Sequence, residues 1–92
     1  MYIVTLMEIN SLVKILEDKL KKNFEISNLK IEDKSFLHKR HQGFKDDKFH
    51  IKLTIESSEL KKKSKLESNR KIYKLLNDEM NTSIHSLQIV II

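Results

Sequence analysis

The sequence predicts an α+β fold of one domain, with two helices covering one face of a three-stranded sheet, and three observations carry that prediction. An apolar stripe at helical spacing opens the chain. A strict two-residue alternation occupies its middle, and a second helical stripe leads into an apolar strand at its end. With 92 residues there is room for one modest core, because a chain this short hides only about 60–65 % of its unfolded surface.

The elements follow in order. Ile9, Leu12, Val13, Leu16 and Leu20 fall at i, i+3, i+4, i+7 and i+11, one face of a helix predicted over 8–23. Asn10 or Ser11 is placed to cap it, and Lys19, Lys21 and Lys22 suit the negative end of its dipole. Leu29 and Ile31 alternate with Lys30 and Glu32, predicting a strand over 27–33. Residues 34–47 lack periodicity, contain Gly43 and read as a long exposed loop of the kind that often carries function. Asp33 and Ser35 are suited to cap it. Phe49, Ile51, Leu53 and Ile55 then alternate with His50, Lys52, Thr54 and Glu56, the clearest strand in the chain, predicted over 48–56. That alternation gives His50 a structural role, facing solvent or a helix.

Ser57 and Ser58 can start a short helical turn through Leu60, and Ser64-x-x-Glu67 has the form of a capping box. The long helix predicted after it, over 65–79, carries Leu66, Tyr73, Leu76 and Met80 on one stripe with Ile72 and Leu75 beside it. Asn81-Thr82-Ser83 breaks the pattern, and a final strand is predicted over 85–91.

Composition narrows the function. There is no cysteine, which excludes disulfides, thiolate zinc sites, thiol nucleophiles and an iron–sulfur cluster held by this chain's own thiolates. With no proline and one glycine, the chain is expected to be ordered almost end to end. Residues 1–6 are assigned as a frayed extension and 7–92 as the domain, with Met7 an alternative start. The longest apolar run, 89–92, is far shorter than the roughly 20 residues of a membrane span. The N-terminus lacks the basic segment and cleavage site of a signal peptide, so a cytoplasmic protein is expected. The net charge of +5 suits nucleic acid or an acidic protein partner and selects neither.

No glycine-rich phosphate loop, nucleophile elbow or carboxylate pair is evident, and the sequence reads as non-enzymatic. His38, His41, His50 and His85 are its only soft metal-binding groups. On the residues alone, His85 is a strand histidine and His38 a solvated loop residue. A zinc site of three histidines would leave an open position, and it would lack the thiolates usual in structural zinc sites. Lys61, Lys62, Lys63 and Lys65, extended by Arg70, Lys71 and Lys74, form a basic knot on the long helix. It reads as a solubilising face or as a phosphate-contacting one.

Four stretches resemble the BolA-like family. Asp33-Lys34-Ser35-Phe36-Leu37-His38-Lys39-Arg40-His41-Gln42-Gly43 resembles its Asp-x-Ser…His-x-x-His-x-Gly loop, and Phe49-His50-Ile51-Lys52-Leu53 its second strand. Lys63, Ser64, Arg70 and Tyr73 match the signature of its long helix, and Ile84-His85-Ser86-Leu87 resembles the opening of its last strand. The likeness covers roughly 7–92. Departures are Leu60 for Phe, Lys62 for Gly, and Ser68 and Asn69 for the Arg and His of an Arg-His-Arg triplet. The last two fall in the helix the family is credited with using on DNA.

The resemblance implies an αββαβ fold of the class II KH type. It implies a partner, a monothiol glutaredoxin, with which one [2Fe-2S] cluster is shared and without which this chain binds none. It also implies the ligands, His38 from the loop and His85 from the last strand, with His41 the competing loop ligand. The family's second role, transcriptional regulation under stress, would place Lys61, Lys62, Lys63, Lys65, Arg70 and Lys74 against DNA. Binding there is expected to be weak and non-specific, since the triplet is lost, and the lack of a Gly-x-x-Gly loop disfavours RNA binding of the ordinary KH sort.

Overall fold

A computed structural model describes residues 9–35 and 48–92. Helix α1 spans Ile9–Asn23, strand β1 Asn28–Asp33 and strand β2 Phe49–Glu56. Helices α2 (Ser58–Lys61), α3 (Lys65–Leu75) and α4 (Asn77–Thr82) follow, and strand β3 (Ile84–Ile91) ends the fold. The sheet order is β1-β2-β3, with β1 antiparallel and β3 parallel to β2. This is the mixed three-stranded α+β architecture that the sequence predicts.

Register explains the core. Leu29 and Ile31 pair with Ile55 and Leu53, while Leu87, Ile89 and Ile91 pair with Ile51, Leu53 and Ile55. Those side chains share one face of the sheet. Leu12, Leu16 and Leu20 of α1 and Ile72 of α3 form a single core with them. The other face carries Lys52 and Thr54 of β2, both half-buried.

Short polar side chains join the layers. Ser57 is buried at the end of β2; its Oγ donates to the Glu25 carbonyl at 2.7 Å and accepts from the Leu60 amide at 3.2 Å, capping α2. Ser64 caps α3 by accepting from the Glu67 amide, while the reciprocal bond of a full capping box is not made. Lys19 Nζ meets Glu79 Oε1 at 2.9 Å, tying α1 to α4 and pairing a carboxylate that is almost wholly buried.

Three expectations are corrected. Asn10 and Ser11 lie inside α1, which is already helical at Ile9, so neither caps it. The long helix divides at Leu76, whose backbone (φ −98°, ψ 18°) leaves the α region, and the second piece runs on to Thr82 through the predicted break. The division turns Glu79 inward to Lys19. The buried stripe of α3 is Ser68 and Ile72, continued by Leu76, whereas Leu66 is 61 % and Tyr73 39 % exposed. Tyr73 lies at the edge of the core so that its hydroxyl can donate to the Leu87 carbonyl, 2.8 Å away.

Leu53 is fully buried on the central strand, between the other two strands and under the helices. Leu53→Ala should cost about 2–5 kcal/mol, read from the shift in urea midpoint at constant m. A cost under about 1 kcal/mol would mean that the core does not close over β2 as described.

Candidate functional site

The last strand begins with an irregularity. Phe49 pairs with Ile84, but the next residue of β2, His50, pairs with Ser86, so β3 contains one residue more than its partner. The extra residue is His85. A bulge of this kind breaks the alternation of faces. It lets Ile84 and Leu87 both point into the core while His85 and Ser86, between them, are both exposed.

His50 lies beside it. Its ring centroid is 4.8 Å from that of His85, with the planes tilted by 52°. His50 is only 7 % exposed, and its Nδ1 lies 2.7 Å from Ser86 Oγ, which holds the ring against β3. The start of β3 thus presents one buried, anchored imidazole and one accessible imidazole side by side. The alternation puts His50 on the face it shares with Lys52 and Thr54, as expected. The expectation that it faces solvent or a helix is corrected, because the ring is buried against Ser86 and His85 of β3. That contact needs the β2–β3 register.

The described residues on either side of 36–47 are fastened at the same place. The His50 amide donates to Ser35 Oγ at 3.1 Å, and the Lys34 amide donates to the His50 carbonyl at 2.7 Å. Asp33 Oδ1 accepts from the Ser35 amide at 2.9 Å, so Asp33 and Ser35 are the capping groups expected. On the returning side the Phe49 amide donates to the Ser83 carbonyl at 2.8 Å, next to Ile84 and His85. The Lys34 ammonium, 3.3 Å from Glu32, hydrogen-bonds its carboxylate and holds the Glu32 carboxyl below the usual carboxylate range, with Lys30 assisting. His38 and His41 lie outside the described residues.

As a donor set, the described part of the site is incomplete. No group of three His, Cys, Asp or Glu able to hold a metal ion occurs among the described residues, and the chain has no thiol. An accessible imidazole on a sheet edge, beside Ser35 where the chain runs on toward two further histidines, suits a metal centre completed by another molecule.

The basic knot occupies a different surface. Lys61, Lys62, Lys65, Arg70 and Lys74 are exposed, Lys63 is half-buried, and none forms an ion pair among the described residues. Ser68, where the sequence departs from the basic triplet, is fully buried and donates to the Leu60 carbonyl at 2.7 Å. It cannot reach a nucleic acid. No helix among the described residues is long and apolar enough to cross a membrane.

The Ser86 hydroxyl, which can donate or accept, holds the His50 ring by Nδ1 against β3. The parent protein should therefore show one fixed ring rotamer, seen as strong nuclear Overhauser contacts from the ring to β3. Ser86→Ala should weaken those contacts and average the ring rotamers with the fold intact. An unchanged spectrum would mean that Ser86 does not orient the ring.

Comparison with known proteins places these features in a family. The family model described as BolA-like protein matches residues 20–92. The chain is 39 % identical over 77 residues, covering 84 % of this chain and 72 % of the other, to a Haemophilus influenzae protein named DNA-binding transcriptional regulator BolA. It is 36 % identical over 82 % of its length to Protein BOLA1, chloroplastic, of Arabidopsis thaliana, of which it spans 49 %. Among solved structures, the BolA domain of SufE1 from Arabidopsis thaliana superposes with a TM-score of 0.73 at 34 % identity, over 88 % of this chain and 90 % of that one. BolA1 from the same plant superposes with a TM-score of 0.72 at 33 % identity, over 85 % and 86 %. With the family model spanning the whole sheet, helices α2 to α4 and the bulged strand that displays His85, the chain belongs to the BolA-like family.

Proposed function

We propose that this chain is a non-enzymatic partner of a monothiol glutaredoxin, sharing one [2Fe-2S] cluster with it for iron–sulfur trafficking or redox sensing. The observation that carries the reading is the bulge at His85, which holds an accessible imidazole next to Lys34 and Ser35, from which the chain runs on to His38 and His41. His85 and His38 are the ligands contributed, with His41 the alternative in the loop. The partner supplies the thiolates that this chain lacks. Imidazole in place of thiolate raises the potential of such a cluster and lowers its net negative charge. His85 is set by the sheet, while a ligand on a loop can adapt to a metal presented from outside.

Titration with a cluster-loaded monothiol glutaredoxin, followed by visible absorption and circular dichroism, tests this. His85→Ala and His38→Ala should each abolish the spectral change, and His41→Ala should leave it. The change should also weaken on acidification, because protons and iron compete for the same imidazole lone pair. A His85→Ala protein that still shifts the spectrum like the parent would defeat the proposal. Loss with His41→Ala and not with His38→Ala would reassign the loop ligand.

A second reading, DNA binding through Lys61, Lys62, Lys63, Lys65, Arg70 and Lys74, is favoured by the name of the Haemophilus relative and by the exposure of that surface. With Ser68 buried, base contacts are few, and Kd should be no tighter than roughly micromolar at physiological salt. Gel-shift titrations across salt concentrations check this. Nanomolar, sequence-selective binding by the purified chain would reverse the ranking of the two readings.

A further inference from the structure

The far end of β3, away from His85, has a free edge. The Ile92 amide donates to the Ile55 carbonyl at 2.9 Å, so its backbone faces β2. By the two-residue period of a strand, Gln88 and Val90 also face β2, while Leu87, Ile89 and Ile91 turn their amides and carbonyls outward. The Leu87 carbonyl is taken by the Tyr73 hydroxyl at 2.8 Å. Among the described residues no hydrogen bond reaches the outward amides and carbonyls of Ile89 and Ile91.

That edge lines a groove of about 400 Å³. Four consecutive strand residues, 88–91, form one wall, as they must if the groove runs along the backbone edge rather than over one face. The opposite wall is the turn from α2 into α3, with Leu60 and Asn69 inside and Lys61, Lys63 and Lys65 at the rim. None of these three lysines forms an ion pair among the described residues. Asn69 Oδ1 is buried and has no hydrogen-bond partner among the described residues.

We propose that this groove takes an extended, acidic segment of a partner protein, which adds to Ile89 and Ile91 as a fourth strand with its carboxylates held by Lys61, Lys63 and Lys65. Unpaired edge amides and carbonyls bind another backbone in this way. A segment of about five residues, at ~3.3 Å per residue, covers the open edge. The unpaired Asn69 oxygen needs a donor, and a peptide amide provides one. Single-stranded nucleic acid fits less well: its bases stack on aromatic rings, and none lines the groove. A second copy of this chain would bring its own lysine rim and net charge of +5 against the first. The site is separate from the bulge and does not depend on the cluster-sharing reading.

The test is a heteronuclear NMR titration of the full chain with acetyl-Glu-Val-Glu-Val-Glu-Val-Glu-amide. Its alternation offers either face after a one-residue slip. The amides of Ile89 and Ile91 should shift and become protected from exchange. The same peptide N-methylated at every backbone amide should bind at least tenfold more weakly. Lys63→Glu with Lys65→Glu, checked for folding by circular dichroism, should weaken the parent peptide by about tenfold, and His85→Ala should leave its affinity unchanged. Binding that bypasses Ile89 and Ile91, or that survives N-methylation, would overturn edge addition. Tighter binding of an eight-nucleotide oligothymidylate to the same residues would assign the groove to nucleic acid. Concentration-dependent shifts of the same amides without peptide would assign it to self-association.

Discussion

The fold depends on β2 being paired on both edges, antiparallel to β1 and parallel to β3. Ile51, Leu53 and Ile55 supply the inner face on which α1 and α3 rest, and the alternation that buries them sends His50, Lys52 and Thr54 to the other face. A one-residue slip of β2 would exchange the two faces, so the hydrophobic pattern that forms the core also positions the histidine. The parallel partner has to arrive by a crossover, which α2, α3 and α4 provide. That crossover brings the turn between α2 and α3 beside the far end of β3.

At its start, β3 meets a conflict between pairing and burial. Ile84 and Leu87 are both needed in the core, and a regular strand cannot point residues three apart to the same side. The bulge resolves this, and His85 is the residue left over. Its exposure follows from core packing. The buried His50 ring and its Ser86 contact then give His85 a fixed neighbour, and Lys34 and Ser35 are fastened within the same few residues. One end of the strand is thereby specialised for an accessible imidazole, while the other keeps an open backbone edge beside three lysines.

Much of this is legible in the residues, and the failures have identifiable causes. The α1 stripe and the β2 alternation are strong periodic signals, and both elements form where they are predicted. Helix α3 is misjudged because hydropathy prefers Leu66 and Tyr73 to Ser68. Yet Ser68 is buried, since its hydroxyl satisfies the Leu60 carbonyl at the end of α2, and Leu66 falls on the solvent side of the first turn. The division at Leu76 has no glycine or proline to announce it. The bulge did leave a trace: Ile84-His85-Ser86-Leu87 sets two polar residues between two apolar ones, which a regular half-buried strand does not. The nearness of His50 to His85 could not be read, because it depends on parallel pairing between strands separated by three helices.

The central claim is that imidazoles of this chain ligate a cluster whose thiolates come from the partner. Its most direct test is nitrogen hyperfine spectroscopy of the reduced cluster in the glutaredoxin complex, with histidine labelled by nitrogen-15 in one protein at a time. Labelling this chain should convert the strong nitrogen couplings to the nitrogen-15 pattern, and labelling the glutaredoxin should leave them unchanged. Couplings that are absent, or that ignore the label in this chain, would contradict the account.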